Sequence, residues 1–196
     1  NDNIALSTGT QQSYNEFVAQ WVQEIVQLNS TWILISIFTW QCQNFARDFV
    51  KQLRAATKAK IVIGGQGMIK SENTSFNEDP YFAKELLGLG LIDYYIQGEA
   101  EKTLPELLSG NVTFPGINSD MFAERSAMSE VPAYDFSDHD IPAYHSGYPD
   151  GQLPLESSRG CIRSCSFCDW PVYAGGFRSK PGDQLFEECV NYYHQH

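Results

Sequence analysis

Three cysteines within eight residues, Cys161, Cys165 and Cys168, are the part of this sequence best equipped for chemistry. In the run Cys161-Ile-Arg-Ser-Cys165-Ser-Phe-Cys168 the thiols are close enough along the chain to wrap one small metal centre. Thiolates are the usual ligands of iron–sulfur clusters, and three of them leave one iron of a four-iron cube without a protein ligand, open to a chelating small molecule. A structural zinc site normally closes its shell with four ligands, so zinc would need a further partner. Cys189, the only cysteine downstream, falls on an apolar stripe with Leu185, Phe186 and Val190, which reads as a buried structural position. Cys42, just beyond the first strand, reads the same way. The alternative is a non-catalytic iron–sulfur or zinc module in which Cys189 supplies a fourth thiolate. Against zinc stands the spacing of three residues then two, since zinc knuckles come as separated Cys-x2-Cys pairs. Asp138, His139 and His145 form a second set of possible metal ligands, but they sit in a stretch better read as solvated connector.

The elements that must position these residues fall into two unequal parts. Ser13 and Glu16 have capping-box spacing, followed by Phe17, Val18, Trp21, Val22, Ile25 and Val26 at helical intervals. Residues 32–38 read as a buried strand, and Phe45, Ala46, Phe49, Val50 and Leu53 mark the next helix. A second strand is expected at 60–63, ending in Gly64-Gly65, then a helix at 81–87, a third strand at 91–97 and a helix from Gly98-Glu99-Ala100-Glu101 through Leu108. Short, continuously apolar strands between amphipathic helices imply a parallel sheet covered on both faces, a Rossmann-like or flavodoxin-like α/β domain. Ligands in such sheets sit at the carboxyl ends of the strands, where residues 36–39, 64–67 and 98–101 would gather. Between 111 and 151 the periodicity fails and Pro115, Pro132, Pro142 and Pro149 indicate a connector. A short strand at 153–157, the cysteine loop and a helix at 181–193 follow, with Pro181 suited to the helix's first turn. The implied division is 1–110, 111–151 and 152–196.

Asp and Glu outnumber Lys and Arg 24 to 13, a formal net charge of −11, so the surface as a whole repels phosphate backbones and anionic lipid. That argues against nucleic-acid and membrane partners. No basic segment followed by an apolar stretch opens the chain, and the longest apolar run is far short of the roughly 20 residues a membrane span needs. Five cysteines, three of them clustered, suit a metal site in a reducing compartment better than a disulfide framework, which points to the cytoplasm.

At the cysteine loop the sequence resembles the radical S-adenosylmethionine (SAM) superfamily, whose spacing is Cys-x3-Cys-x2-Cys with an aromatic residue before the third cysteine, here Phe167. Glu156-Ser-Ser-Arg-Gly160 resembles the strand end that feeds the loop, and Phe177-Arg178-Ser179 the stretch ahead of the family's first barrel helix. The resemblance implies a [4Fe–4S] cluster on Cys161, Cys165 and Cys168, SAM on its open iron, and one-electron cleavage of SAM to methionine and a 5′-deoxyadenosyl radical. It also implies an electron donor such as a flavodoxin or ferredoxin and an unidentified substrate. Phe167 would pack near the adenine, and Arg159 and Arg163 would offset the charge of the cluster.

Ile35-Ser-Ile-Phe-Thr39, Ile61-Val-Ile-Gly-Gly65 and Tyr95-Ile-Gln-Gly-Glu-Ala-Glu-Lys-Thr-Leu104 resemble the cobalamin-binding-type domain that precedes the barrel in one branch of this superfamily. On that resemblance Ser36, Thr39, Gly64 and Gly65 would contact cobalamin through hydroxyl and backbone. The family's Asp-x-His-x-x-Gly segment has no counterpart, since His139, His145, His194 and His196 all lie outside residues 1–110. The implied function is reductive SAM cleavage serving cobalamin-dependent methyl transfer or another radical modification. A tRNA-modifying methylthiotransferase is disfavoured, because its N-terminal domain would carry further cluster cysteines and only Cys42 is present there. A radical SAM barrel has about six strand–helix units. The sequence holds the first of them, a partial TIM-type barrel, and lacks the earliest strands of the cobalamin-type domain. A fragment or a split-gene product is therefore expected.

Overall fold

The structure is a computed structural model that describes residues 8–68, 81–139, 141, 153–168 and 170–195. The described residues divide into two compact units, one within residues 8–124 and one within residues 125–195.

In the first unit the apolar runs Trp32–Ser36 (β1) and Lys60–Gly64 (β2) pair in parallel, Trp32 opposite Lys60 through Ser36 opposite Gly64. Tyr94–Tyr95 (β3) adds to the far side of β2, giving the order β1-β2-β3. Side chains alternate across a strand. Ile33, Ile35, Ile61, Ile63 and Tyr95 accordingly face one core, built with Val18 and Val22 of the helix Thr8–Gln27 (α1), Phe49, Val50 and Leu53 of Gln43–Ala56 (α2), and Phe82 and Leu86 of Phe82–Gly88 (α3). Val62 and Ile96 face a smaller core with Leu104 and Leu107 of Thr103–Leu108 (α4). The expected α/β sheet is therefore present, mixed in its cover and three strands wide among the described residues.

Several boundaries differ from the sequence pattern. Ser13 lies inside α1, not at its start, so the four-residue Ser-x-x-Glu match is not the cap. Residues 98–102 form a turn before α4 rather than its first helical turn. The edge of β3 is covered by part of the stretch expected as connector. Ile117 bridges Ile96, the Tyr95 N–H donates to Asn118 Oδ1 at 2.8 Å, and the Ala123 N–H donates to the Gln97 carbonyl at 2.7 Å. An open edge is a hazard for a sheet, and residues 117–123 remove it on this side.

Asp93 ties the start of the sheet to α2. Its carboxylate accepts from the Ile61 N–H at 2.9 Å and from Arg54 at 2.5 Å, with Lys60 at 3.3 Å. Burial alone would raise its pKa. The Ile61 N–H, Arg54 and Lys60 outweigh that and hold the carboxyl below its ordinary range.

In the second unit residues 153–157, expected as a strand, have no regular pairing, and the strand is Ser158–Arg159 (β4). Pro154 has no N–H to give a ladder, which fits the late start. β4 pairs antiparallel with Arg178–Ser179 (β5), Ser158 opposite Ser179. A short helix, Trp170–Ala174 (α5), lies between them, and Gly182–Gln195 (α6) follows. No helix among the described residues is long and apolar enough to cross a membrane.

Candidate functional site

The cysteine loop leaves β4 through a glycine that no other residue can replace without movement. Gly160 has φ +83°, and a Cβ there would run into the carbonyl oxygen of Gly176. That close approach lets Cys161 bridge Gly176, with the Cys161 N–H donating to the Gly175 carbonyl at 3.4 Å. The first cysteine is thus fixed by backbone to the segment that follows α5. The Arg163 N–H donates to Cys161 Sγ at 3.4 Å, and a turn closes from the Cys168 N–H to the Cys165 carbonyl at 3.1 Å.

All three cysteines are free thiols, Cys165 exposed and the other two half-exposed. Among the described residues no three His, Cys, Asp or Glu side chains converge as a metal-ion site, so the three thiols do not meet at one point in this arrangement. The donor set nevertheless fits an iron–sulfur cluster: three uncrosslinked thiols on one short exposed loop, one already accepting an N–H. Phe167 is 87% exposed on the same loop.

Two arginines grip the segment behind the loop. Arg178 donates to the carbonyls of Ser126 at 2.7 Å and Ala174 at 3.1 Å, and the Arg125 guanidinium lies against Gly175 where a side chain would otherwise stand. Arg159, expected to balance a cluster's charge, is instead held by Glu156 through two hydrogen bonds of 2.8 Å. That pairing is the main reason the Glu156 carboxyl sits below its ordinary range. Arg163 is exposed.

The helix after the loop faces differently from its apolar pattern. Glu188 and Tyr192 turn inward, while Phe186 and Cys189 are exposed. The cause is an ion pair that the stripe does not show: Lys180 Nζ lies 2.6 and 2.8 Å from the two Glu188 oxygens, with both side chains almost fully buried. Cys189 is therefore not a packed structural cysteine. Cys42 is exposed too, its thiol 3.6 Å from Thr39 Oγ1. Asp138 and His139 are exposed, His139 edge-on to Phe136, and His145 lies outside the described residues.

A second feature belongs to the first unit. At the carboxyl ends of β1, β2 and β3 a cleft of about 360 Å³ is lined by Leu34, Ser36, Val62, Gly64, Gly65, Ile96, Gly98, Glu99, Glu101 and Leu104, among others. Of the residues the sequence proposed for a cofactor there, Ser36, Gly64 and Gly65 line it and Thr39 does not. Gly65 is glycine for a reason besides any ligand. At φ +97° its Cβ would strike the backbone of Ile37, where the loops after β1 and β2 are laced by hydrogen bonds of 2.8 Å from Ile37 to Gly64 and from Gly67 to Ile37. The Gln43 side chain adds a bond of 2.9 Å to the Gly67 carbonyl. Residues 98–101, expected at the carboxyl ends of the strands, line the cleft as well.

No protein-family model matches the chain. It is 34% identical over 111 residues to ribosomal protein uS12 methylthiotransferase RimO of Geotalea uraniireducens, a stretch covering 53% of this chain and 24% of that protein. It is 32% identical over 129 residues to the hopanoid C-3 methylase of Methylococcus capsulatus, covering 55% and 24%. Its fold is similar to that of TsrM from Kitasatospora setae, a radical SAM methyltransferase solved with cobalamin and a [4Fe–4S] cluster. The TM-score is 0.54 at 18% identity, over 90% of this chain and 38% of that one. The expected kinship with the radical SAM superfamily is borne out. The radical SAM relatives matched in sequence are about four times as long as the stretch they share with this chain.

Proposed function

We propose that this chain carries the cluster-binding loop of a radical SAM enzyme together with a cobalamin-binding-type domain. In this reading residues 1–110 form the cobalamin-type domain, 111–151 the connector, and 152–196 the first strand–helix unit of a TIM-type barrel. Cys161, Cys165 and Cys168 would hold a [4Fe–4S] cluster whose fourth iron is left for SAM. The cluster, when bound and reduced by a donor such as flavodoxin or ferredoxin, supplies the electron that cleaves SAM.

The observation that carries the reading is the loop itself: three free thiols follow a glycine-enforced crossing that fixes Cys161 by backbone to Gly175 and Gly176. The residues of this chain then have separate tasks. Gly160 and the Arg178 clamp set where the loop leaves the hairpin. The Arg163 N–H lowers the electron density on Cys161 Sγ, as hydrogen bonds to cluster thiolates do. Phe167, exposed beside Cys168, offers an aromatic face for the SAM adenine. Ser36, Gly64 and Gly65 offer a hydroxyl and bare backbone to cobalamin in the cleft, with Thr39 three residues beyond Ser36 on the loop that leaves β1. No histidine lines that cleft among the described residues, so cobalt would receive no imidazole from it. The substrates named for the relatives, a ribosomal protein, a tRNA and a hopanoid, and tryptophan for TsrM, differ in kind. What they support in common is methyl or methylthio transfer.

The test is anaerobic reconstitution with iron and sulfide. Four iron and four sulfide should be retained by the wild-type chain and by Cys189→Ser, and lost in Cys161→Ala, Cys165→Ala and Cys168→Ala. Loss in Cys189→Ser equal to that in the other three would establish the four-thiolate module instead.

A further inference from the structure

We infer that Arg178 is a positioning residue for the cluster: by holding the carbonyl end of α5 it fixes the span between Cys161 and Cys168. The inference rests on the reading of the cysteine loop as a cluster site and adds what keeps its two outer ligands in register.

α5 is five residues long, too short to hold its own shape in water. A helix leaves its last carbonyls without partners inside the helix. Here that end is buried, with Ala174 only 8% exposed, so the carbonyls must be satisfied from elsewhere. Three consecutive ones are. The Tyr173 carbonyl accepts from Arg125 Nη2 at 3.5 Å, the Ala174 carbonyl from Arg178 Nη2 at 3.1 Å, and the Gly175 carbonyl from the Cys161 N–H at 3.4 Å. Arginine suits the place, since its charge faces the negative end of the helix and its planar fork serves two acceptors at once. Arg178 uses both arms: Nη1 donates to the carbonyl of Ser126, itself buried, at 2.7 Å. Gly175, at φ +70°, is the turn out of the helix, and a Cβ there would lie 2.6 Å from the Arg125 guanidinium carbon.

The consequence for the thiols follows from the chain order. α5 begins two residues after Cys168, so the place of its far end decides where Cys168 stands. Cys161 is hydrogen-bonded to Gly175, the residue next after that end, and bridges Gly176. Both outer cysteines therefore refer to one anchor, residues 173–176. Arg178 holds that anchor from a strand position directly opposite Arg159, two residues before Cys161.

Anaerobic reconstitution of the full chain tests this with Arg178→Met, which keeps an unbranched stem and loses the donors, and Arg178→Lys, which keeps the charge and loses the fork. Each is first shown to be folded by far-ultraviolet circular dichroism. The Arg178→Met cluster should lose iron to a chelator about tenfold faster than the wild-type cluster, the lower end of what removing a group behind the ligands does to metal affinity. The electron paramagnetic resonance signal of the reduced cluster should also shift in g-value and broaden, and Arg178→Lys should fall between. A role in folding alone would lower the number of chains that carry a cluster while leaving each remaining cluster with the wild-type spectrum and rate of iron loss. That result in folded Arg178→Met, or in Arg178→Lys where the Met variant does not fold, would overturn the inference and leave the three-cysteine reading standing. A wild-type chain that retains no four-iron cluster would overturn both.

Discussion

The Lys180–Glu188 pair offers the sharpest energetic test of how the second unit holds its cysteine loop. The Lys180 N–H donates to the Ser157 carbonyl at 2.9 Å, one residue before β4, so the pair joins α6 to the strand from which the loop departs. Lys180 is 2% and Glu188 7% exposed at the side chain, and the ammonium contacts both carboxylate oxygens. Removing one partner leaves a desolvated charge, which costs about 3–5 kcal/mol, whereas replacing both by apolar groups of similar volume is near neutral or stabilising. Lys180→Met and Glu188→Leu should therefore each lose about 3–5 kcal/mol, and the double variant should recover most of it. Urea unfolding followed by Trp170 fluorescence reads this once Trp21, Trp32 and Trp40 are replaced by Phe in every variant compared, because Trp170 is then the sole tryptophan. Strictly additive losses in the double variant, or single losses below about 1 kcal/mol, the scale of an exposed pair, would refute the claim that this buried pair orients α6.

Asp93 predicts acid behaviour. Its folded-state pKa lies below the unfolded value of about 3.9, so its stabilisation is complete above that pH and disappears as pH falls through the folded value. Asp93→Asn should remove that part of the acid limb in a helix-signal titration, and an unchanged acid profile would count against it. The glycines of the second unit should respond with opposite signs. Gly160→Ala, which drives a Cβ into the Gly176 carbonyl at positive φ, should destabilise the unit by more than about 1 kcal/mol and lower iron retention. Gly182→Ala, with open space around it at the start of α6, should stabilise by about 0.4–1 kcal/mol in the same urea assay.

What the sequence made legible was whatever local pattern dictates. In α2, Phe49, Val50 and Leu53 repeat at helical spacing and are buried at those positions; the apolar runs at β1 and β2 are too short for helices and pair as a parallel sheet. What was hidden depends on partners distant in sequence. The face α6 buries is set by Lys180, eight residues from Glu188, against the preference of Phe186 and Cys189 for the interior. The cover on β3 comes from a proline-interrupted stretch with no strand pattern, through the Asn118 side chain and two backbone bonds. The cysteine loop was legible as chemistry from its residue types. Its support was not, because Gly160 and Gly176 meet only once the β4–β5 hairpin closes.

The central claim is that three thiolates leave one iron open for SAM, and the electron paramagnetic resonance spectrum of the reduced, reconstituted chain tests it most directly. Adding SAM should change the g-values of the [4Fe–4S]+ signal in the wild-type chain and in Cys189→Ser, because a new ligand reaches the iron that no cysteine holds. A four-iron signal that SAM leaves unaltered, in a chain shown to carry its full complement of iron and sulfide, would contradict the account.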